Sequence, residues 1–324
     1  MSDLDSDLPF RGEIHLHRHR RVNHGLGVTR RPGLSRRQEH MRDLRAYLLV
    51  VPPSARFTHL TGAALLGWQL PKLPEQIPVF VAVDRNDRRP RRPGLLCSRI
   101  NPSAERHRRR RHGLPIDDPL EILLRAARDL SLLDMVVLVD SARRKGDVDP
   151  ARMEALLDSR RPGVVMLREA WRRSSGQSES AGESLLQQFH HVLEIPFEPQ
   201  SEICDREGRV VARADLLITG TRFLHEYDGA YHRSGPQHRN DLRRERDLAS
   251  TSYVRKGYVL DDLLNHPAAV MQEMDQALGR VPDLRRLRRW KRLVDNSLYS
   301  EAGRERVLNR WRRSGAIVDW SGSA

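Results

Sequence analysis

The chain has 324 residues, a formal net charge of +14 and a pI of about 10.7, which suits two domains with separate cores and a polyanionic partner, nucleic acid above all. No apolar run approaches the roughly 18 residues of a membrane helix and no signal-peptide core opens the chain, so a membrane partner is excluded and a cytoplasmic protein is expected. Two cysteines far apart in sequence, Cys97 and Cys204, exclude a disulfide framework and a cysteine-based zinc site.

Residues 1–34 read as a basic N-terminal arm without a regular fold, in which His15, His17 and His19 alternate as on one strand face. Only four of the 57 basic residues are lysine, so a GC-rich genome accounts for part of the arginine excess, and the clustering of the arginines carries more meaning than their number. From Ser35 the pattern turns helical, with Met41, Leu44, Leu48 and Leu49 at helical spacing before Pro52-Pro53. The stretch from Thr58 to Pro71 predicts a helix whose Ala63, Ala64 and Gly67 allow close packing. Ile77 to Val83 is a buried strand rich in β-branched residues, Asp84 to Gly94 a hairpin loop, and Leu95 to Ile100 the returning strand. Arg106 to His112 is the densest basic run, either a solvated loop or a loop touching phosphates through Arg108, Arg109, Arg110 and Arg111.

Three helices without evident chemistry follow, near Leu120–Leu130, Leu132–Arg144 and Pro150–Asp158. With a further helix expected from Gly163 to Trp171, they complete a helix-rich α+β domain over residues 35–171. Residues 172–179 form a polar linker and the expected boundary. In Ser180-Ala-Gly-Glu183 the glutamate is either a helix cap or a site residue.

The densest concentration of chemistry comes next. Asp215 sits in an apolar run, where a carboxylate needs a partner. Beyond the Gly220-Thr221 turn, Glu226 and Asp228 share one strand face, and hairpin pairing would bring Glu226 beside Asp215. Acids so close raise one another's pKa, and a hard divalent cation such as Mg2+ or Mn2+ would relieve them. His232 follows, then a charged helix with Asp241 and with Arg239, Arg243 and Arg244 able to approach a phosphate backbone.

The motifs Ser180-x-x-Glu183, Arg213-Ala-Asp215-Leu, Glu226-Tyr-Asp228-Gly-x-Tyr-His232 and Asp241-Leu-Arg-Arg244, in this order, resemble the nuclease-like domain related to very-short-patch-repair (Vsr) endonucleases, within the PD-(D/E)XK superfamily. The likeness covers about residues 180–280. The helix-rich region before it resembles the AbiEi-type antitoxin region that often precedes such domains. Too few residues precede Gly27 for the winged helix found in relatives, so no winged-helix reading of DNA is expected.

The resemblance implies an α/β chain with a restriction-endonuclease-like core, a mixed sheet flanked by helices. It implies a metal-dependent DNA endonuclease with Asp215 and Glu226 as ligands of Mg2+ or Mn2+, and with Asp228, His232 and Glu183 as further catalytic candidates. The superfamily's lysine is missing, its slot held by Asp228, and His232 is the substitute base. The expected partner is double-stranded DNA, with a cognate toxin or other protein in a toxin–antitoxin, defence or repair setting. The rival expectation is an inactive antitoxin-like regulator that binds DNA or a partner. Residues 281–324 lie beyond the likeness and read as a basic amphipathic helix, docked on the domain, facing DNA or, third because its apolar stripe is modest, lying on a membrane surface.

Overall fold

The computed structural model describes residues 8–100, 109–229, 248 and 251–314. The chain is of the α/β class, with eleven helices and three sheets among the described residues. It divides into two compact units. The first holds residues 1–67, 73–129 and 305–324; the second holds 68–72 and 130–304. No helix among the described residues is long and apolar enough to cross a membrane.

The first unit opens with an antiparallel sheet where an arm without regular fold was expected. Its strands are β1 (Phe10–Arg11), β2 (His19–Asn23) and β3 (Leu26–Thr29), in the order β1-β3-β2. The reason is tertiary. Asn23 donates to the Tyr47 hydroxyl (3.1 Å) and to the Pro93 carbonyl (2.7 Å), anchoring a hairpin whose own sequence is mostly polar. Only His19 of the three alternating histidines lies in a strand. Helix α1 (Arg36–Tyr47) begins at Ser35, which forms a capping box with Gln38.

The five-stranded sheet has the order β6-β5-β4-β8-β7, from β4 (Arg56–Phe57), β5 (Val79–Val83), β6 (Leu95–Arg99), β7 (Arg109–Arg111) and β8 (Leu114–Ile116). Strand β6 does not return antiparallel as the sequence suggested. It runs parallel to β5, with Val79 opposite Leu95 and Val83 opposite Arg99. The intervening loop travels back alongside the strand: its last residue accepts a bond from Val79 at the Gly94 carbonyl (2.8 Å), and its Arg89 donates to the Cys97 carbonyl. Helix α2 (His59–Leu66) follows β4, and α3 (Pro119–Ala126) follows β8, capped by Asp118. Arg125 on α3 lies buried between Asp117 (3.1 Å) and Glu121 (3.2 Å), and also donates to the Arg99 carbonyl (3.0 Å), tying helix to sheet. Trp311, from the last helix, is fully buried in this unit; its ring lies 5.4 Å from that of Phe80 and its indole donates to Asp129 (3.1 Å).

The second unit is built on the mixed sheet β12-β11-β10-β9: β9 (Phe197–Cys204), β10 (Val210–Ile218), β11 (Phe223–Tyr227) and β12 (Val254–Tyr258). The first three strands pair antiparallel, and β12 joins β11 in parallel. Its helices are α4 (Leu132–Arg144), α5 (Pro150–Leu157), α6 (Val164–Arg173), α7 (Ala181–Val192), α8 (Leu260–Leu264), α9 (Pro267–Ala277), α10 (Leu284–Asp295) and the start of α11 (Glu301–Arg313). The core joins Leu185 and Phe189 of α7 to Leu216, Ile218, Met271 and Trp290. Trp290 on α10 is fully buried, edge-on to Phe189 at 5.0 Å, and its indole donates to the Leu263 carbonyl (2.7 Å). The apolar face of the basic C-terminal helix is therefore docked in the core.

Residues 172–179 lie within this unit. Asp140, buried on α4, accepts from the Ser174 hydroxyl (2.8 Å), the Gly176 amide (2.8 Å) and the Ser178 hydroxyl (3.3 Å). Removing that one acceptor strands three buried or half-buried donors. Asp140→Ala is expected to cost about 2–4 kcal/mol, lowering the thermal midpoint on the order of 5–10 °C. A midpoint unchanged in a calorimetric scan would show that this segment is not held through Asp140.

Candidate functional site

The acids singled out in the sequence meet on the sheet of the second unit. Alternation along β10 buries Ala212, Ala214, Leu216 and Ile218 and leaves Asp215 half-buried on the other face. The β10–β11 ladder pairs Leu216 with His225 and Leu217 with Leu224; one step further it sets Asp215 opposite Glu226. The β9–β10 ladder sets Gln200 opposite Asp215, and the β11–β12 ladder sets Gly257 opposite Glu226. One row thus crosses four strands: Gln200, Asp215, Glu226, Gly257.

Asp215 Oδ2 accepts from the Tyr227 amide at 2.8 Å, so its carboxylate bridges to the neighbouring strand. Glu226 is buried, and its Oε2 accepts from Arg255 Nε at 2.6 Å. The same guanidinium reaches Asp228 Oδ1 through Nη2 at 2.7 Å. Two acids on one guanidinium raise the Arg255 pKa further, against the lowering effect of burial. Gly257 makes room for this clamp, because a Cβ there would lie 1.9 Å from Asp228 Oδ2.

Glu183 arrives from the first turn of α7. Ser180 caps that helix by accepting from the Glu183 amide (3.1 Å). The Glu183 carboxylate reaches back to the Glu179 amide (2.7 Å) instead of the Ser180 amide, so the capping-box reading holds on one side only. Its Oε2 also accepts from Gln200 Nε2 at 3.3 Å, which brings it to the row. Burial, and then the Asp215 carboxylate, push the Glu183 carboxyl up to about 7, against the opposing pull of the Glu179 amide and the Ser180 hydroxyl. Gly182 allows the close approach of α7 to β11: a Cβ there would lie 2.1 Å from the Tyr227 ring.

The sequence reading missed two features here. Arg255 is a clamp that only the parallel pairing of β12 with β11 brings within reach of Glu226. Behind the row, His190 and His225 form a buried pair, with His190 Nε2 2.8 Å from His225 Nδ1 and His190 Nδ1 2.8 Å from the Leu186 carbonyl. Neutral rings satisfy this arrangement, with Nδ1–H of His190 donating to Leu186 and Nδ1–H of His225 donating to His190. Burial holds His190 down to about 4; burial and then its histidine neighbour hold His225 down to about 2. The signal available in sequence was a histidine inside the apolar strand Phe223–Tyr227 and another inside the apolar face of α7.

His232, Asp241, Arg239, Arg243, Arg244 and Arg108 lie outside the described residues. Arg109, Arg110 and Arg111 belong to the first unit, where they form strand β7. Oxygen donors such as Asp215 and Glu183, whose like charges raise the Glu183 pKa, suit a hard divalent cation in chemistry. In geometry Glu226 is already neutralised by Arg255, and among the described residues no group of three His, Cys, Asp or Glu side chains is arranged to hold a metal ion. Compared with protein-family models, with curated proteins and with solved structures, the chain matches none of them.

Proposed function

We propose that the second unit is a phosphodiesterase site of the endonuclease kind, dependent on Mg2+ or Mn2+ and acting on DNA. One observation carries the reading: Glu183 is held beside Asp215 on the cross-strand row that also carries Glu226, although burial and then the Asp215 charge push the Glu183 carboxyl up to about 7. A chain that needed only a stable hairpin would gain by replacing such acids with neutral residues. A divalent cation at such a site supplies charge for a phosphoryl oxygen and a more acidic water. Asp215 and Glu226 would hold such an ion, with Glu226 first giving up its bond to Arg255, which would keep its second acid, Asp228. Glu183, with a carboxyl near neutral, takes the water's proton, a task the sequence left to His232.

The Arg255 clamp favours a second reading, a silent core that only binds DNA or a protein partner, because Glu226 is satisfied there without any cation. Incubation of the full chain with plasmid and linear duplex, with EDTA, Mg2+ or Mn2+, separates the two. The nuclease reading expects cleavage that needs the metal and rises with pH through about 7 as Glu183 loses its proton. Wild-type protein that cuts no nucleic acid with either ion leaves the silent core in its place.

A further inference from the structure

We propose that the first unit carries a docking track for the phosphate backbone of double-stranded DNA, formed by two basic grooves that share the β7–β8 hairpin in their linings. The choice of DNA as the polyanion rests on the nuclease reading; the track itself rests on the following geometry.

The basic run is not a loop. Arg109, Arg110 and Arg111 form strand β7, paired antiparallel to Leu114–Ile116 through the two-residue turn His112-Gly113. Both turn residues have positive φ, 49° and 77°, as a tight hairpin turn of this length demands. All three arginines are exposed, and β7 is the outermost strand in the order of its sheet. The hairpin therefore presents its guanidinium groups in a fixed frame, which lowers the entropy cost of engaging a ligand.

The first groove, of about 390 Å³, meets the hairpin at its turn residue His112, and its lining includes Arg31, Arg37, Met41, Arg42 and Arg45. Arg37, Met41 and Arg45 are spaced four apart and share one face of α1. Arg37 donates to the His112 ring at 3.4 Å, which joins helix and hairpin across the groove. The acids of α1 are engaged with other arginines: Glu39 and Asp43 bind Arg20, and Glu39 also binds Arg42, which lines the same groove. The second groove, of about 190 Å³, is lined by Arg56, Arg109 and Arg110, with Pro52, Pro53 and Pro115 as its walls; Arg109 also stands 3.9 Å from Asp118.

Among the described residues no carboxylate lines either groove. Nor, among the described residues, does either carry a phenylalanine, tyrosine or tryptophan on which an unstacked base could lie. Arginine forks without aromatic platforms match a backbone whose bases stay paired, so the fit is to a duplex and not to a single strand.

The test is fluorescence anisotropy of the full chain with a labelled duplex in EDTA, so that no cleavage takes place. Arg37→Glu with Arg45→Glu is compared with a charge-matched control, Arg160→Glu with Arg206→Glu, which changes exposed arginines of the second unit. The groove variant is expected to lose on the order of tenfold or more in affinity and to flatten the log–log salt slope by about 2. The control is expected to stay near wild type. Arg37→Gln with Arg45→Gln should show an intermediate loss, and it decides the matter if a thermal melt shows the reversal variant unfolded. Equal losses in groove and control variants would reduce the effect to net charge and overturn the track. So would unchanged duplex affinity in both groove variants, tighter binding of a single strand of the same length, or a loss confined to phosphatidylserine vesicles. Wild type that binds duplex through the groove but cuts nothing removes the nuclease reading and leaves the track. Cleavage with full affinity in the groove variants does the reverse.

Discussion

On the nuclease reading, Asp215→Asn and Glu226→Gln are each expected to abolish metal-dependent cleavage while leaving DNA affinity equal or higher. Both changes keep shape and remove one negative charge. Losing a ligand removes several kcal/mol of transition-state stabilisation, a fall in rate on the order of a hundredfold or more. Removing a carboxylate cannot weaken binding of a polyanion through repulsion. The two variants part company in stability. Glu226→Gln gives up the charge that faces Arg255 at 2.6 Å in a buried setting, so it should lower the thermal midpoint in the absence of metal. Asp215→Asn relieves the repulsion on Glu183 and should return that carboxyl toward its ordinary value. Single-turnover cleavage and anisotropy on the same preparations read both effects. Mutants that cut at the wild-type rate would remove these acids from the chemistry.

The second large effect is a loss of stability in mild acid. The ordinary histidine value is 6.5, and in the folded chain His190 lies near 4 and His225 near 2. Folded rings bind fewer protons than unfolded ones, so their contribution is fully present above about pH 6.5 and is lost as pH falls toward 4. Each depressed group costs roughly 1.4 kcal/mol per pH unit over that window, about 3 kcal/mol for His190 alone. Glu183 works in the opposite direction: its raised carboxyl favours the fold below its ordinary 4.5, and that advantage fades as pH rises through about 7. In a Glu183→Gln background, denaturant unfolding between pH 7 and pH 4 should therefore isolate the histidine slope. Replacing both rings, His190→Leu with His225→Phe, should flatten it. A wild-type midpoint that does not fall over this range would mean that the pair is not held neutral.

The parts of this fold legible in sequence are those set by near neighbours. The helical spacing from Ser35 announced a helix, the Val-Phe-Val-Ala-Val run a buried strand, and the Gly220-Thr221 turn a hairpin that brings Asp215 beside Glu226. What stayed hidden depends on partners far along the chain. The parallel run of β6 beside β5 follows from bonds such as Val79 to Gly94, which no local periodicity signals. Three consecutive arginines show no alternation of polar and apolar residues, so β7 could not be told from a loop; its pairing with Leu114–Ile116 supplies the strand. Arg255 lies 29 residues from Glu226, and nothing near it in sequence marks it as that acid's partner.

The burial of Trp311 beside Phe80 and Asp129 has a kinetic consequence. A chain emerging from the ribosome presents its first unit early, yet that unit lacks its closing tryptophan until residues 305–314 have been made. The second unit, drawn wholly from residues 68–72 and 130–304, holds all its pieces sooner. Vectorial synthesis thus lets the later unit close first. The earlier one waits for a contact that spans 182 residues, the kind of long-range closure that slows folding.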